Sequence, residues 1–246
     1  MRLKLVLRSK GSFIPFNYNQ YIHAMILDKL RFADPQYAQE VHDGNGFKFF
    51  TFSELDIPVR KLDKERGGLV ILSDTVSLHV SSPRERFMQA FLSGILCRPD
   101  IRIGPAEFTL ESANVIDSPD FSSGKSILRT MTPLIASTKR EIEGRLRTWD
   151  LMPEDAQFYN NIRNNLVRKF EEFSGKSPME SAFSVKVIKP LRPKRIKVKD
   201  EFHTGSRMIF EASGSPELLE FAYECGLGER NSMGFGMVEA ANGGLS

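Results

Sequence analysis

Gly226-Leu227-Gly228-Glu229-Arg230-Asn231-Ser232-Met233-Gly234-Phe235-Gly236 follows an apolar, helix-like run (Leu218 to Cys225) and leads into a short apolar segment, Phe235 to Val238. The direction of that stretch decides the class of fold. Dinucleotide and P-loop sites run from a strand through glycines into a helix, whose N-terminus receives the phosphate. Here the order is helix, glycines, strand. Position 231 is Asn where GxGxxG requires Gly, and no Gly-Lys-Ser/Thr follows. A mononucleotide cradle is therefore disfavoured. A loop with four glycines and Arg230, Asn231 and Ser232 at its tip suits the backbone of a polymer instead. Missing side chains allow close approach, and exposed amides and a guanidinium meet phosphates. A plain helix-to-strand turn would need only one or two glycines.

Working back from this ending, the same element order occurs twice. Leu3, Leu5 and Leu7 alternate with charges, which marks a strand with one buried face. Asn17 or Asn19 caps a helix whose Ile22, Met25, Ile26, Leu30 and Ala33 share a core-facing side. Phe47–Ser53 and Leu69–Val80 read as strands, and Ser82-Pro83 opens a helix to about Cys97. Ile101–Ile103 and Phe108–Ile116 complete the first set. After the polar stretch Ser118–Ser126 the pattern restarts. Ile127–Ile135 is a strand, Glu154–Phe173 a helix, and Phe183–Ile188 and Met208–Ala212 are strands. Ser215-Pro216 opens the next helix and Phe235–Val238 closes the set. The expected class is α+β, with two tandem ferredoxin-like (βαββαβ, RRM-like) domains over residues 1–118 and 126–246.

The 246 residues are 41% hydrophobic and 26% charged, ordinary for a globular protein. Two cysteines, Cys97 and Cys225, exclude a disulfide framework and a cysteine-rich zinc site. Neither a signal peptide nor a long apolar span is visible, so a cytoplasmic protein without membrane partners is expected. The net charge of +3 is unevenly placed. Arg2, Lys4, Arg8 and Lys10 precede any acid. Lys186, Lys189, Arg192, Lys194, Arg195, Lys197 and Lys199 form a second acid-free stretch, which Pro190 and Pro193 keep out of a helix. Two such segments point to a polyanion.

Three blocks carry a resemblance to a known family. Pro15-Phe16-Asn17-Tyr18-Asn19-Gln20-Tyr21, Ala38-Gln39-Glu40-Val41-His42-Asp43-Gly44 and Phe47-Lys48-Phe49-Phe50-Thr51-Phe52-Ser53 resemble the CRISPR-associated repeat-RNA endoribonucleases, the Cas six family of the RAMP superfamily. The C-terminal glycine block resembles that family's glycine-rich loop. The resemblance implies metal-independent cutting of precursor CRISPR RNA into guide RNAs. In that reaction a ribose 2′-hydroxyl attacks the adjacent phosphate, leaving a 2′,3′-cyclic phosphate and a 5′-hydroxyl.

Such chemistry needs a base, an acid and a cation for the oxyanion. Similar enzymes supply Tyr, His and Lys. The resemblance puts His42 at the histidine position and Lys48 at the lysine position, while the tyrosine position is Leu27. Helical spacing places Gln20, His23, Leu27 and Arg31 on one flank, which makes His23 the substitute. His79 and His203 read as structural. The carboxylates show no clustered metal-ligand pattern, so neither a metal nor any other cofactor is expected and a two-metal nuclease is disfavoured. The expected RNA contacts are the basic stretch together with Gly226, Gly228, Arg230, Asn231, Ser232, Gly234 and Gly236. Other CRISPR effector proteins and a second copy of the chain are further candidate partners. The alternative reading is a paralogue that grips repeat RNA and cuts poorly or not at all.

Overall fold

Along β1 (Arg2–Ser9) the residues Leu3, Leu5 and Leu7 are fully buried, so the period of two holds over the whole strand. The computed structural model describes residues 1–44, 46–178, 182–198 and 201–241. They fall into two units, Met1–Asp117 and Ser118–Ser246.

In the first unit β1 is followed by β2 (Phe13–Pro15), α1 (Asn19–Ala33), α2 (Pro35–Asp43) and β3 (Thr51–Phe52). Then come β4 (Arg60–Asp63), β5 (Gly68–Ile71), β6 (Thr75–Ser81), α3 (Glu85–Cys97), β7 (Asp100–Ile103) and β8 (Ala106–Ile116). The main sheet is antiparallel in the order β3-β6-β1-β8-β7, and β2-β5-β4 form a small separate sheet. Ile22, Ile26 and Leu30 of α1 and Phe87, Phe91 and Ile95 of α3 share one core with the three leucines of β1.

The second unit runs β9 (Lys125–Thr130), β10 (Ser137–Ile142), β11 (Arg145–Asp150), α4 (Ala156–Ser174), β12 (Ser184–Val198), β13 (Glu201–Ser213), α5 (Pro216–Cys225) and β14 (Val238–Ala240). Its sheet order is β12-β13-β9-β14, also antiparallel, and β10–β11 is a separate hairpin. With the insertions set aside, both units place the first strand between the third and the fourth. That is the ferredoxin-like arrangement, and the α+β class holds.

One buried lysine occupies the same place in each unit. Lys29 of α1 donates to the carbonyls of Arg98 and Asp100, one and three residues past the end of α3 at Cys97. Lys169 of α4 donates to the carbonyls of Gly226 and Gly228, one and three residues past the end of α5 at Cys225. Each ammonium satisfies carbonyls that a helix end leaves without partners. An identical device at identical offsets supports duplication more strongly than element order alone.

Several local expectations differ from the structure. The helix α1 starts behind Tyr18 with no side-chain cap, and Ala33 is exposed. The span 69–80 is two strands, β5 and β6, rather than one. Ser82-Pro83 precedes α3 by a turn: the Ser82 hydroxyl accepts from Arg84 N and donates to Phe49 O (2.6 Å), so Pro83 is not the first helical residue. Ser215-Pro216 does open α5, with Ser215 accepting from Leu218 N. The hairpin β10–β11 was not expected; its turn holds Glu143 and Gly144, both at positive φ as two-residue hairpin turns require.

Candidate active site and RNA-binding surface

His42 lies in the last turn of α2, a helix the sequence reading passed over. Its signal was present: Asp34 caps it, accepting from Tyr37 N at 3.0 Å, and Pro35 is its first residue. Arg86 of α3 fixes this helix by pairing with Asp34 (2.8 Å) and Glu40 (3.5 Å), with its guanidinium over the Tyr37 ring. His42 is exposed. Its Nδ1 is 2.9 Å from Asp43 Oδ1, and Gln39 donates to the other oxygen of the same carboxylate. The hydrogen bonds from His42 and then Gln39 hold the Asp43 carboxyl below its usual range, against a small opposing effect of burial. A proton on Nδ1 leaves Nε2 as the working nitrogen.

Lys48 Nζ donates to the His42 carbonyl at 3.1 Å, so the two residues meet. The expected strand 47–53 is reduced to Thr51–Phe52, because Phe49 takes a left-handed conformation (φ 47°) that breaks the pleat. Arg84 covers the Phe49 ring, and Phe50 turns into the core. His23, half-buried on α1, stacks on Phe50 with ring centroids 5.8 Å apart. Residues 48–50 therefore link all three expected catalytic side chains. Leu27, placed on an open flank by helical spacing, lies in the core at 7% exposure. His79, on the sheet face away from the helices, has its pKa lowered to about 4 by burial and by the nearby Arg2 and Lys4 charges.

In the second unit the glycine loop is anchored from below. Lys169, fully buried, also donates to Asn231 Oδ1 (2.8 Å), so its three protons meet three oxygens. Asn231 Nδ2 in turn donates to the carbonyls of Leu227 and Phe235. Asn231 is thus not at a tip; its amide is spent inside the loop. Glu229 accepts from both the backbone and the hydroxyl of Ser137. A Cβ on Gly228 would lie 2.3 Å from Ile135 O, and one on Gly236 1.8 Å from Leu227 O. The close approach these glycines permit is to the chain's own backbone, so a structural turn does need more than two. Gly226 and Gly234 are buried as well. Arg230 is exposed and Ser232 half-buried, and Arg230 sits 3.5 Å from Glu201.

The basic stretch is the edge strand β12, interrupted by register shifts near Pro190 and Pro193. Prolines, bulges and lysines are what keep an edge from pairing with other chains. Lys186, Lys189, Arg192, Arg195 and Lys197 are exposed and Lys194 is half-buried, while Lys199 lies outside the described residues. Among the described residues no group of three or more His, Cys, Asp or Glu side chains is gathered to hold a metal ion. No described helix is long and apolar enough to cross a membrane.

Two family descriptions together match nearly the whole chain: "CRISPR-associated protein Cas6, N-terminal" over residues 13–114, and "CRISPR associated protein Cas6, C-terminal" over residues 116–240. The CRISPR-associated endoribonuclease Cas6 1 of Methanocaldococcus jannaschii is 38% identical over 97% of this chain and 92% of its own length. The endoribonuclease-like protein Cas6nc of Pyrococcus horikoshii is 31% identical over 97% of this chain and 98% of its own. Among solved structures, a "CRISPR associated protein Cas6" superposes with TM-score 0.83 at 37% identity, covering 98% of both chains. "An RAMP protein binding different RNA substrates" superposes with TM-score 0.86 at 31% identity, covering 98% of this chain and 99% of that one. With both halves matched and relatives above 30% identity along its length, the chain belongs to the Cas6 family of CRISPR-associated endoribonucleases.

Proposed function

We propose that this protein binds CRISPR repeat RNA and cuts precursor transcripts within each repeat by metal-independent transesterification. The observation that carries the reading is the meeting of His42 and Lys48, with Asp43 holding the far side of the imidazole. The ribose 2′-hydroxyl loses its proton and its oxygen attacks the adjacent phosphorus. The bond to the 5′-oxygen then breaks, and that oxygen takes up a proton. A 2′,3′-cyclic phosphate and a 5′-hydroxyl remain, and no water is consumed. His42 serves one of the two proton transfers, and Lys48 faces the charge that builds on the phosphate oxygens. His23, against Phe50, is the candidate for the second transfer. The exposed cations of β12, with Arg230 and Ser232 of the glycine loop, hold the phosphate backbone, while the glycines shape that loop.

A second reading is a repeat-RNA-binding paralogue that cuts weakly or not at all. Its support is the buried Leu27 where similar enzymes carry a tyrosine, together with the endoribonuclease-like name of one relative. Single-turnover cleavage separates the two readings. His42→Ala should lower the rate about 10²- to 10⁴-fold with Kd for repeat RNA retained, the range for one acid–base group. An unchanged rate removes His42 from the chemistry. A wild-type protein that binds repeat RNA without cutting it favours the paralogue.

A further inference from the structure

The second unit holds a cavity of about 460 Å³ between the inserted hairpin β10–β11 and the β12–β13 ladder. Lys139 and Arg147 line it from the hairpin and Arg195 from β12. Its other wall carries Phe202 and His203. Phe202 is 53% exposed, with the Arg195 guanidinium 4.4 Å and the Lys197 ammonium 5.8 Å from its ring centre. An exposed phenylalanine gains nothing from water, but with a guanidinium beside it it makes a flat cationic platform on which a base can stack.

His203 is the second observation. Its side chain is only 3% exposed, yet it lines the cavity. Its Nδ1 lies 3.1 Å from Asp150 Oδ1, and the other Asp150 oxygen accepts from Thr204 N at 2.7 Å. Nε2 has no hydrogen-bond partner; the nearest acid oxygen, Glu201 Oε2, is 3.6 Å away. A buried polar atom without a partner is uncommon and calls for an explanation. Glu201 itself is loosely held, 3.5 Å from Arg230 of the glycine loop, longer than a strong charge-assisted bond. A carboxylate so placed can accept from the amino and imino groups of a base.

We propose that this cavity is a subsite for one unpaired nucleotide of the bound RNA. Its base stacks on the Phe202–Arg195 platform, its phosphate lies against Lys139 and Arg147, and Glu201 and His203 read the base edge. The inference rests on the RNA-binding reading above and adds to it a site outside the acid-free basic stretch. Cations, an aromatic face and hydrogen-bonding groups in one nucleotide-sized space are what single-strand RNA recognition uses.

The test uses a fluorescent repeat RNA carrying a 2′-deoxy substitution at the cut site, with the full-length chain. Phe202→Leu keeps apolar bulk and removes stacking, and should raise Kd about tenfold without changing the log–log salt slope. Lys139→Gln combined with Arg147→Gln should flatten that slope by about 1.4, from about 0.7 per phosphate contact on single strands. Photocrosslinking of the same RNA to the wild-type chain, mapped by mass spectrometry, should label the peptide containing Phe202. Unchanged Kd in Phe202→Leu, or crosslinks confined to other peptides, overturns the subsite. If the wild-type protein binds and cuts repeat RNA while that variant binds equally well, the subsite alone falls. If the wild-type protein does not bind repeat RNA, both readings fall.

Discussion

Lys169 shows how a single side chain can shape a functional loop from beneath. Burial pushes its pKa below the ordinary lysine value, and its three oxygen partners all belong to the glycine-loop segment. Lys169→Met keeps the length and apolar stem but strands those acceptors, so it should cost about 1–3 kcal/mol, the range for unsatisfied buried polar groups. A urea titration reads this as a lower midpoint; an unmoved midpoint would show that the loop does not depend on the lysine. His79 makes a pH prediction. Its folded pKa of about 4 is below the 6.5 of the free side chain, so the folded state resists protonation that the unfolded chain accepts. Its contribution is complete above pH 6.5 and is lost as pH falls toward 4, by on the order of 3 kcal/mol. Wild type should therefore lose more stability than His79→Asn between pH 7 and 4.5 in matched urea titrations. Parallel losses would remove His79 as the cause. Motif position was enough to bring out His42 and Lys48, which the structure joins. Leu27 and Asn231 were misjudged because a helical wheel cannot say how wide the buried face is. A glycine-rich string likewise cannot say whether its polar residues point inward. Lys169 was invisible, because nothing in Arg168-Lys169-Phe170 distinguishes a buried lysine from a surface one.

At the level of elements, periodicity recovered the sheet strands that face a core, β1 and β8 among them, but stumbled on insertions. The helix α2 announced itself through Asp34-Pro35, and β10–β11 through Glu143-Gly144 between alternating residues. Both signals were overlooked because neither element belongs to the repeating pattern. The edge strand β12 was legible as basic and non-helical; its bulges depend on pairing with β13. They matter for function, since each register shift re-aims the following cations. With about four to six phosphate contacts from β12 and Arg230, the log–log salt slope of RNA binding should be about −3 to −4. Neutralising Lys194, Arg195 and Lys197 together should weaken binding and flatten the slope by about 2. A full slope in that variant would move the RNA track away from β12.

At the scale of the molecule, the tandem architecture was readable because two βαββαβ patterns sat on either side of one polar stretch. The structure adds the physical sign of duplication, Lys29 and Lys169 holding the carbonyls one and three residues past Cys97 and Cys225. The copies have since diverged. In the first unit that loop leads into β7, and the candidate catalytic groups sit on the inserted α2 and the segment after it. In the second unit it has become the glycine loop, beside the basic ladder and the inserted hairpin. This division of labour, chemistry on one ferredoxin-like unit and grip on the other, is the core of the proposal. The most direct test is to incubate excess protein with repeat RNA in EDTA, alongside the same RNA carrying a single 2′-deoxy nucleotide at the cut, and to analyse the product ends. The all-ribose RNA should be cut to a 2′,3′-cyclic phosphate and a 5′-hydroxyl, and the 2′-deoxy RNA should stay whole. Cutting only after magnesium is restored, or products ending in a 3′-hydroxyl and a 5′-phosphate, would contradict the proposal.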